Sequence, residues 1–87
     1  MYKYAVNDKV TITNGTLMVE DKSLVASQGK VQVYVTEIQD VKGTIKELTT
    51  SLSGDPMYVV EFDKSLVTKR ATVTETRCWE YELEVRV

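Results

Sequence analysis

From Trp79 to Val87 every odd position is apolar and every even position is charged. A period of two puts one set on each side of an extended chain, so this run predicts a half-buried strand from Trp79 to the terminus. The same alternation recurs upstream. Val10 and Ile12 alternate with polar neighbours over Asp8 to Thr13, and Asn14-Gly15 then supplies a dipeptide suited to a tight turn. Thr16 to Glu20 continues as a strand, Ser27 to Lys30 is a polar break, and Val31 to Ile38 carries Val31, Val33 and Val35 on one side. A hairpin arm from about Thr16 to Ile38 follows.

Gln39 to Gly43 reads as a second turn, and in Thr44 to Leu48 the apolar residues fall three apart instead of two. Ser53-Gly54-Asp55-Pro56 concentrates turn formers, including the only proline, which marks Thr49 to Pro56 as a loop. Met57 to Asp63 is a strand with Tyr58, Val60 and Phe62 on one face, and Ala71 to Glu75 is another. The pentapeptide Asp-Lys-Ser-Leu-Val occurs at Asp21 to Val25 and again at Asp63 to Val67. Both copies read as hairpin connections, and since the likeness fades outside them it is attributed to shared loop composition.

In order along the chain stand Asn7-Asp8-Lys9-Val10-Thr11-Ile12, Gly43-Thr44-Ile45, Tyr58-Val59-Val60-Glu61-Phe62-Asp63 and Glu80-Tyr81-Glu82-Leu83-Glu84. This succession resembles small SH3-like barrels of the KOW and Tudor-like kind, over about half of the chain. The resemblance implies an all-β fold: an SH3-like barrel or strongly bent antiparallel sheet of 5–7 strands. Residues 1–87 form one domain in this reading, with 16–38 as an inserted, protruding hairpin. It transfers an architecture and no ligand, because such barrels host unrelated functions. The basic residues that nucleic-acid-binding relatives cluster near the G-x-I turn are reduced here to Lys42 and Lys46, beside Asp40 and Glu47.

With 87 residues, 43% hydrophobic and 28% charged, the chain is sized and composed for one folded core. No apolar stretch is long enough to span a membrane as a helix, and the first residues lack a secretion signal. A lone Cys78 permits no internal disulfide. A cytoplasmic location is therefore expected. The net charge of −2 provides no general attraction for phosphate backbones, which makes a nucleic acid an unfavoured partner.

The chain has no histidine, which removes the commonest general base and metal ligand. One cysteine cannot build a zinc site, and Gly15, Gly29, Gly43 and Gly54 stand singly, each where a turn is expected. No catalytic residue, metal or cofactor is expected. Glu80, Glu82 and Glu84 read as the solvated face of the last strand, and Cys78 as an inert thiol. Of the aromatic residues, Tyr58, Phe62, Trp79 and Tyr81 read as core filling instead of a cation cage, whereas Tyr2 and Tyr4 precede the first strand and are expected to be partly exposed.

What remains is a non-catalytic binding module, a small accessory or inhibitory protein that docks on a protein partner through its hairpin and the Asp63 to Arg70 loop. The alternative is an oligomer that holds a small anionic metabolite or nucleotide with Lys64, Lys69, Arg70 and Tyr2 or Tyr4. Third comes an RNA- or DNA-binding SH3-like domain. The terminal strand, ending at Val87, offers an open edge through which a homo-oligomer could pair.

Overall fold

The computed structural model describes residues 1–22, 24–68 and 71–86. Its framework is a long hairpin, β1 (Lys9–Asp21) against β2 (Gln32–Thr50), closed by a tip that holds one helical turn, α1 (Val25–Gln28). Gly29, at φ 63, ends that turn in the left-handed conformation that costs glycine nothing. β3 (Pro56–Val67) and β4 (Thr72–Trp79) extend the sheet beyond β2, while β5 (Leu83–Val85) pairs with the other side of β1. The result is one five-stranded antiparallel sheet in the order β4-β3-β2-β1-β5.

The fold is all-β, with a strand count inside the expected range, and the sheet is open. Its two edges are nonetheless tied together. A single 3-10 turn, Glu80–Glu82, joins the end of β4 to the start of β5. Four residue steps reach at most ~14 Å, whereas five flat strands would hold their edges about 19 Å apart. The sheet must therefore bend, and its concave side encloses the core.

At the centre of that core Val10, Ile12, Ile45, Tyr58 and Val60 are wholly buried, packed with Tyr4, Leu17, Phe62, Cys78 and Leu83. Tyr58, Val60 and Phe62 share the inward face, as their alternation predicts. The three-residue spacing from Ile45 to Leu48 is explained by a bulge at Lys46. Ile45 pairs with Val60 and Leu48 with Tyr58, so the extra residue lets both side chains point inward.

Neither predicted turn near the hairpin base exists. Asn14 and Gly15 lie inside β1 opposite Gln39 and Ile38, and a single register runs from Lys9 and Thr44 to Asp21 and Gln32. Gly15 and Gly43 serve close approach instead of chain reversal. A Cβ on Gly43 would stand 2.6 Å from the Glu61 carbonyl oxygen, and one on Gly15 would stand 2.9 Å from Cγ2 of Ile12. Asp40 does adopt a left-handed φ of 55°, a conformation aspartate tolerates better than most residues. Opposite it, the ribbon turns over: Val10 and Ile12 are the buried side chains below the kink, Leu17 and Val19 above it.

Beyond that kink the hairpin leaves the sheet, because β5 reaches only Val10 to Ile12 of β1 and β3 reaches β2 only from Gly43 onward. The molecule is elongated, 46 Å along its longest axis, with a radius of gyration of 14.2 Å; a compact chain of this length has about 12 Å. A protruding hairpin is thus present. Its outer face carries Met18, Val33 and Val35, all exposed.

Three further expectations change. The second Asp-Lys-Ser-Leu-Val copy is part of β3, not a connection. The last strand is only Leu83–Val85, since Glu80–Glu82 leaves extended geometry. The strand expected from Ala71 to Glu75 runs instead over Thr72–Trp79. Among the described residues no helix is long and apolar enough to cross a membrane.

Candidate functional site

Tyr58 and Phe62 fill the core and Tyr2 is partly exposed, as expected, but Tyr4 and Tyr81 are reversed. Tyr4 is buried, its ring edge-on to Tyr58 at 5.5 Å and its hydroxyl donating to the Leu83 carbonyl at 3.1 Å. Tyr2 is half-buried, edge-on to Tyr58 at 5.7 Å and donating to the Thr49 carbonyl at 2.7 Å. Rings held edge-to-face with satisfied hydroxyls belong to packing. Lys64 is exposed in β3, where the pairing with β4 breaks between Glu61 and Leu66. Lys69 and Arg70 lie outside the described residues. The structure therefore does not bring Tyr2 or Tyr4 to a basic anion site, since both side chains are engaged with the core.

Trp79 and Tyr81, expected in the core, lie outside it, Trp79 half-buried and Tyr81 exposed. Their rings lie nearly parallel, 10° apart with centroids 6.3 Å apart, and Tyr81 is 80% exposed. The 3-10 turn is the cause: it ends the period of two one residue after Trp79, so Tyr81 and Leu83 no longer share a face. Three contacts hold this turn. Glu80 accepts from the Tyr58 hydroxyl at 3.1 Å and from the Lys3 backbone at 2.7 Å. Glu82 reaches back to accept from the Trp79 N–H at 2.8 Å. Thr13 donates to the Glu82 carbonyl at 3.2 Å.

One signal for this turn was present in the sequence. A glutamate three residues after the last extended residue can satisfy that residue's N–H, a helix-start signature. The alternating run from Trp79 overrode it.

Around the stacked rings the surface has two connected parts. A shelf is formed by Asp55, Pro56, Trp79, Glu80 and Tyr81. Trp79 also lines a groove of about 830 Å³ between the hairpin arm and the β3–β4 side, with Met18, Leu52 and Met57 as its apolar wall. Its charged members are Glu75, Arg77 and Glu82. Glu75 is paired with Lys46 at 2.9 Å, which raises the lysine pKa, and the Arg77 guanidinium donates to the Thr50 carbonyl at 3.2 Å.

Elsewhere the chemistry is quiet. Cys78 is buried, and desolvation, followed by the field of Glu82, pushes its thiol up to about 12. A thiol held protonated is a poor nucleophile. Burial likewise raises the Tyr58 hydroxyl, which accepts from the Tyr4 N–H at 3.2 Å and the Lys3 N–H at 2.9 Å. Arg86 pairs with Asp63 and lowers its pKa, while a second guanidinium nitrogen donates to the Gly43 carbonyl at 3.2 Å. Glu80 and Glu82 sit on the turn and Glu84 on β5, so they do not share one strand face. Among the described residues no group of three or more His, Cys, Asp or Glu side chains is placed to hold a metal ion.

No protein-family model, curated protein or solved structure matches this chain.

Proposed function

We propose that this chain is a non-catalytic binding module with an open SH3-like architecture, docking on a protein partner through the Trp79–Tyr81 shelf and the adjoining groove. The architectural part is supported by the strand order β4-β3-β2-β1-β5 and by the one-turn link between its edge strands. The binding part rests on one observation: outside the core cluster, half-buried Trp79 at the end of β4 lies parallel to exposed Tyr81 on a turn braced from within the core. Aromatic side chains held rigidly at a surface supply contact area at little entropic cost, which is why they dominate binding energy at interfaces.

The test uses the full chain as immobilised bait beside its Tyr81→Ala variant, both first shown by circular dichroism to be folded. Proteins retained by the wild type and lost from the variant are the expected result. Identical retained sets would remove the shelf from any docking role.

A second reading, self-association, is favoured by the arm. Its strands carry unpaired outer edges from residue 13 on β1 and up to residue 42 on β2, beneath the exposed Met18 and Val35. This moves the open edge from the terminal strand, where only Leu83–Val85 is extended, to the hairpin. Light scattering should show a dimer that Val35→Lys converts to monomer; a wild-type monomer at millimolar concentration ends this reading.

A further inference from the structure

We infer that the partner segment docking on the shelf and groove is cationic and apolar together: an extended peptide stretch in which arginine or lysine alternates with aliphatic side chains. This rests on the docking reading above. Asp55 and Glu80 border the stacked rings and Glu82 lines the groove beside Trp79. Among the described residues none of the three is in an ion pair. Their hydrogen-bond partners are neutral donors: the Ser53 hydroxyl for Asp55, the Lys3 N–H and Tyr58 hydroxyl for Glu80, and the Trp79 N–H for Glu82.

At the groove Lys46 is paired with the lining Glu75, whereas Arg77 donates to the Thr50 carbonyl, a neutral partner that leaves its charge to offset Glu82. The net negative charge therefore lies on the shelf, where Asp55 and Glu80 border the ring faces, and aromatic faces add their own negative quadrupole. A guanidinium or ammonium over Tyr81 is attracted by both sources at once. Phosphate-bearing partners meet repulsion from the same carboxylates.

The apolar half of the specificity comes from Met18, Leu52 and Met57, which give the groove a wall with no charge to satisfy. Met18 is 69% exposed and Leu52 fully so, leaving apolar area that a partner's aliphatic side chains would cover. Because Trp79 lines both parts, a charged side chain on the shelf and an aliphatic one in the groove can belong to neighbouring positions of one strand-like segment.

Trp79 is the only tryptophan, so its fluorescence reports this surface directly. The full chain is titrated with two capped peptides of equal length, one alternating arginine with valine and the other glutamate with valine. The arginine peptide should change the emission saturably and lose affinity as salt rises, while the glutamate peptide should be silent. Tyr81→Ala should weaken the arginine peptide about tenfold, consistent with losing a partly desolvated cation–π contact. Asp55→Asn, a smaller change on the same rim, should weaken it measurably without altering the fold.

Equal or preferential binding of the glutamate peptide, lost in Tyr81→Ala, would overturn the cationic assignment while leaving the shelf a docking surface. Absence of arginine-peptide binding up to millimolar concentration, or binding indifferent to both substitutions, would also overturn it. The docking reading is judged separately, by the differential capture described above.

Discussion

The body and the arm are built from the same residue types and differ in what covers them. In the body, Val10, Ile12, Ile45 and Val60 have no solvent exposure because the bent sheet folds over them. On the outer face of the arm, Val35 is 64% and Met18 69% exposed, although both sit in an equally regular ladder. Alternation records that a strand has two faces. Whether an apolar face is covered depends on what packs against it: on the arm Leu17 and Val19 are covered, while the face of Met18 and Val35 is not.

The largest expected contrast is truncation in each region. Ile45→Ala should cost about 2–5 kcal/mol by loss of burial and a residual cavity, whereas Val35→Ala should stay within about 0.5 kcal/mol. Urea unfolding monitored by circular dichroism measures both. Equal costs would mean that the arm's outer face is covered in solution, which is the signature of self-association.

Next is the hydroxyl of Tyr58, which links the body to the shelf turn. Tyr58→Phe keeps the ring but leaves the buried Tyr4 N–H without its acceptor, a loss of about 1–3 kcal/mol. The Lys3 N–H retains Glu80, so the penalty falls on one group. The same variant removes the donor to Glu80, and a shift in Trp79 emission would show the turn loosening.

The two close-approach glycines sharpen the comparison at the junction of body and arm. Gly43→Ala meets backbone at 2.6 Å and should destabilise by about 1–3 kcal/mol. Gly15→Ala meets Cγ2 of the wholly buried Ile12 at 2.9 Å, a side-chain methyl instead of backbone and a less severe approach, and should cost less. Reversal of that order would place the more rigid packing above the kink.

The effects of pH, slight near neutrality, have opposite signs at the two ends of the scale. Cys78 is raised from 9.0 to about 12 in the folded chain. The stability it contributes is complete below pH 9 and disappears as pH climbs toward 12, so alkaline unfolding should move upward in Cys78→Ala relative to that variant's own neutral stability. Asp63 is lowered from 3.8 by Arg86, so its contribution is present above that value and lost on further acidification. An exposed pair of this kind adds less than about 1 kcal/mol, visible as a small decline below pH 4 that Arg86→Gln abolishes.

Much of the strand pattern was legible in the chain. Tyr58, Val60 and Phe62, together with Val10 and Ile12, declared their inward faces through period alone, since each run lies in one strand with one covered side. The Asn14-Gly15 dipeptide misled because its turn preference is local, while the ladder partners Gln39 and Ile38 that override it lie over twenty residues away. The candidate site was read inside out for the same kind of reason. Tyr81 looked like core because its neighbours alternate, and Tyr4 looked peripheral because it precedes the first strand.

By itself, then, the sequence determined an all-β chain with a hairpin arm and an apolar set sufficient for one core, because extended-chain periodicity is a property of consecutive residues. Tertiary structure alone decided that Tyr4 is buried and Tyr81 is not. The Tyr58 hydroxyl collects backbone groups of Lys3 and Tyr4 and the Glu80 carboxylate, drawing the first residues inward and pinning the turn that lifts Tyr81 out. Those contacts join residues more than twenty positions apart, a distance at which no local pattern carries information.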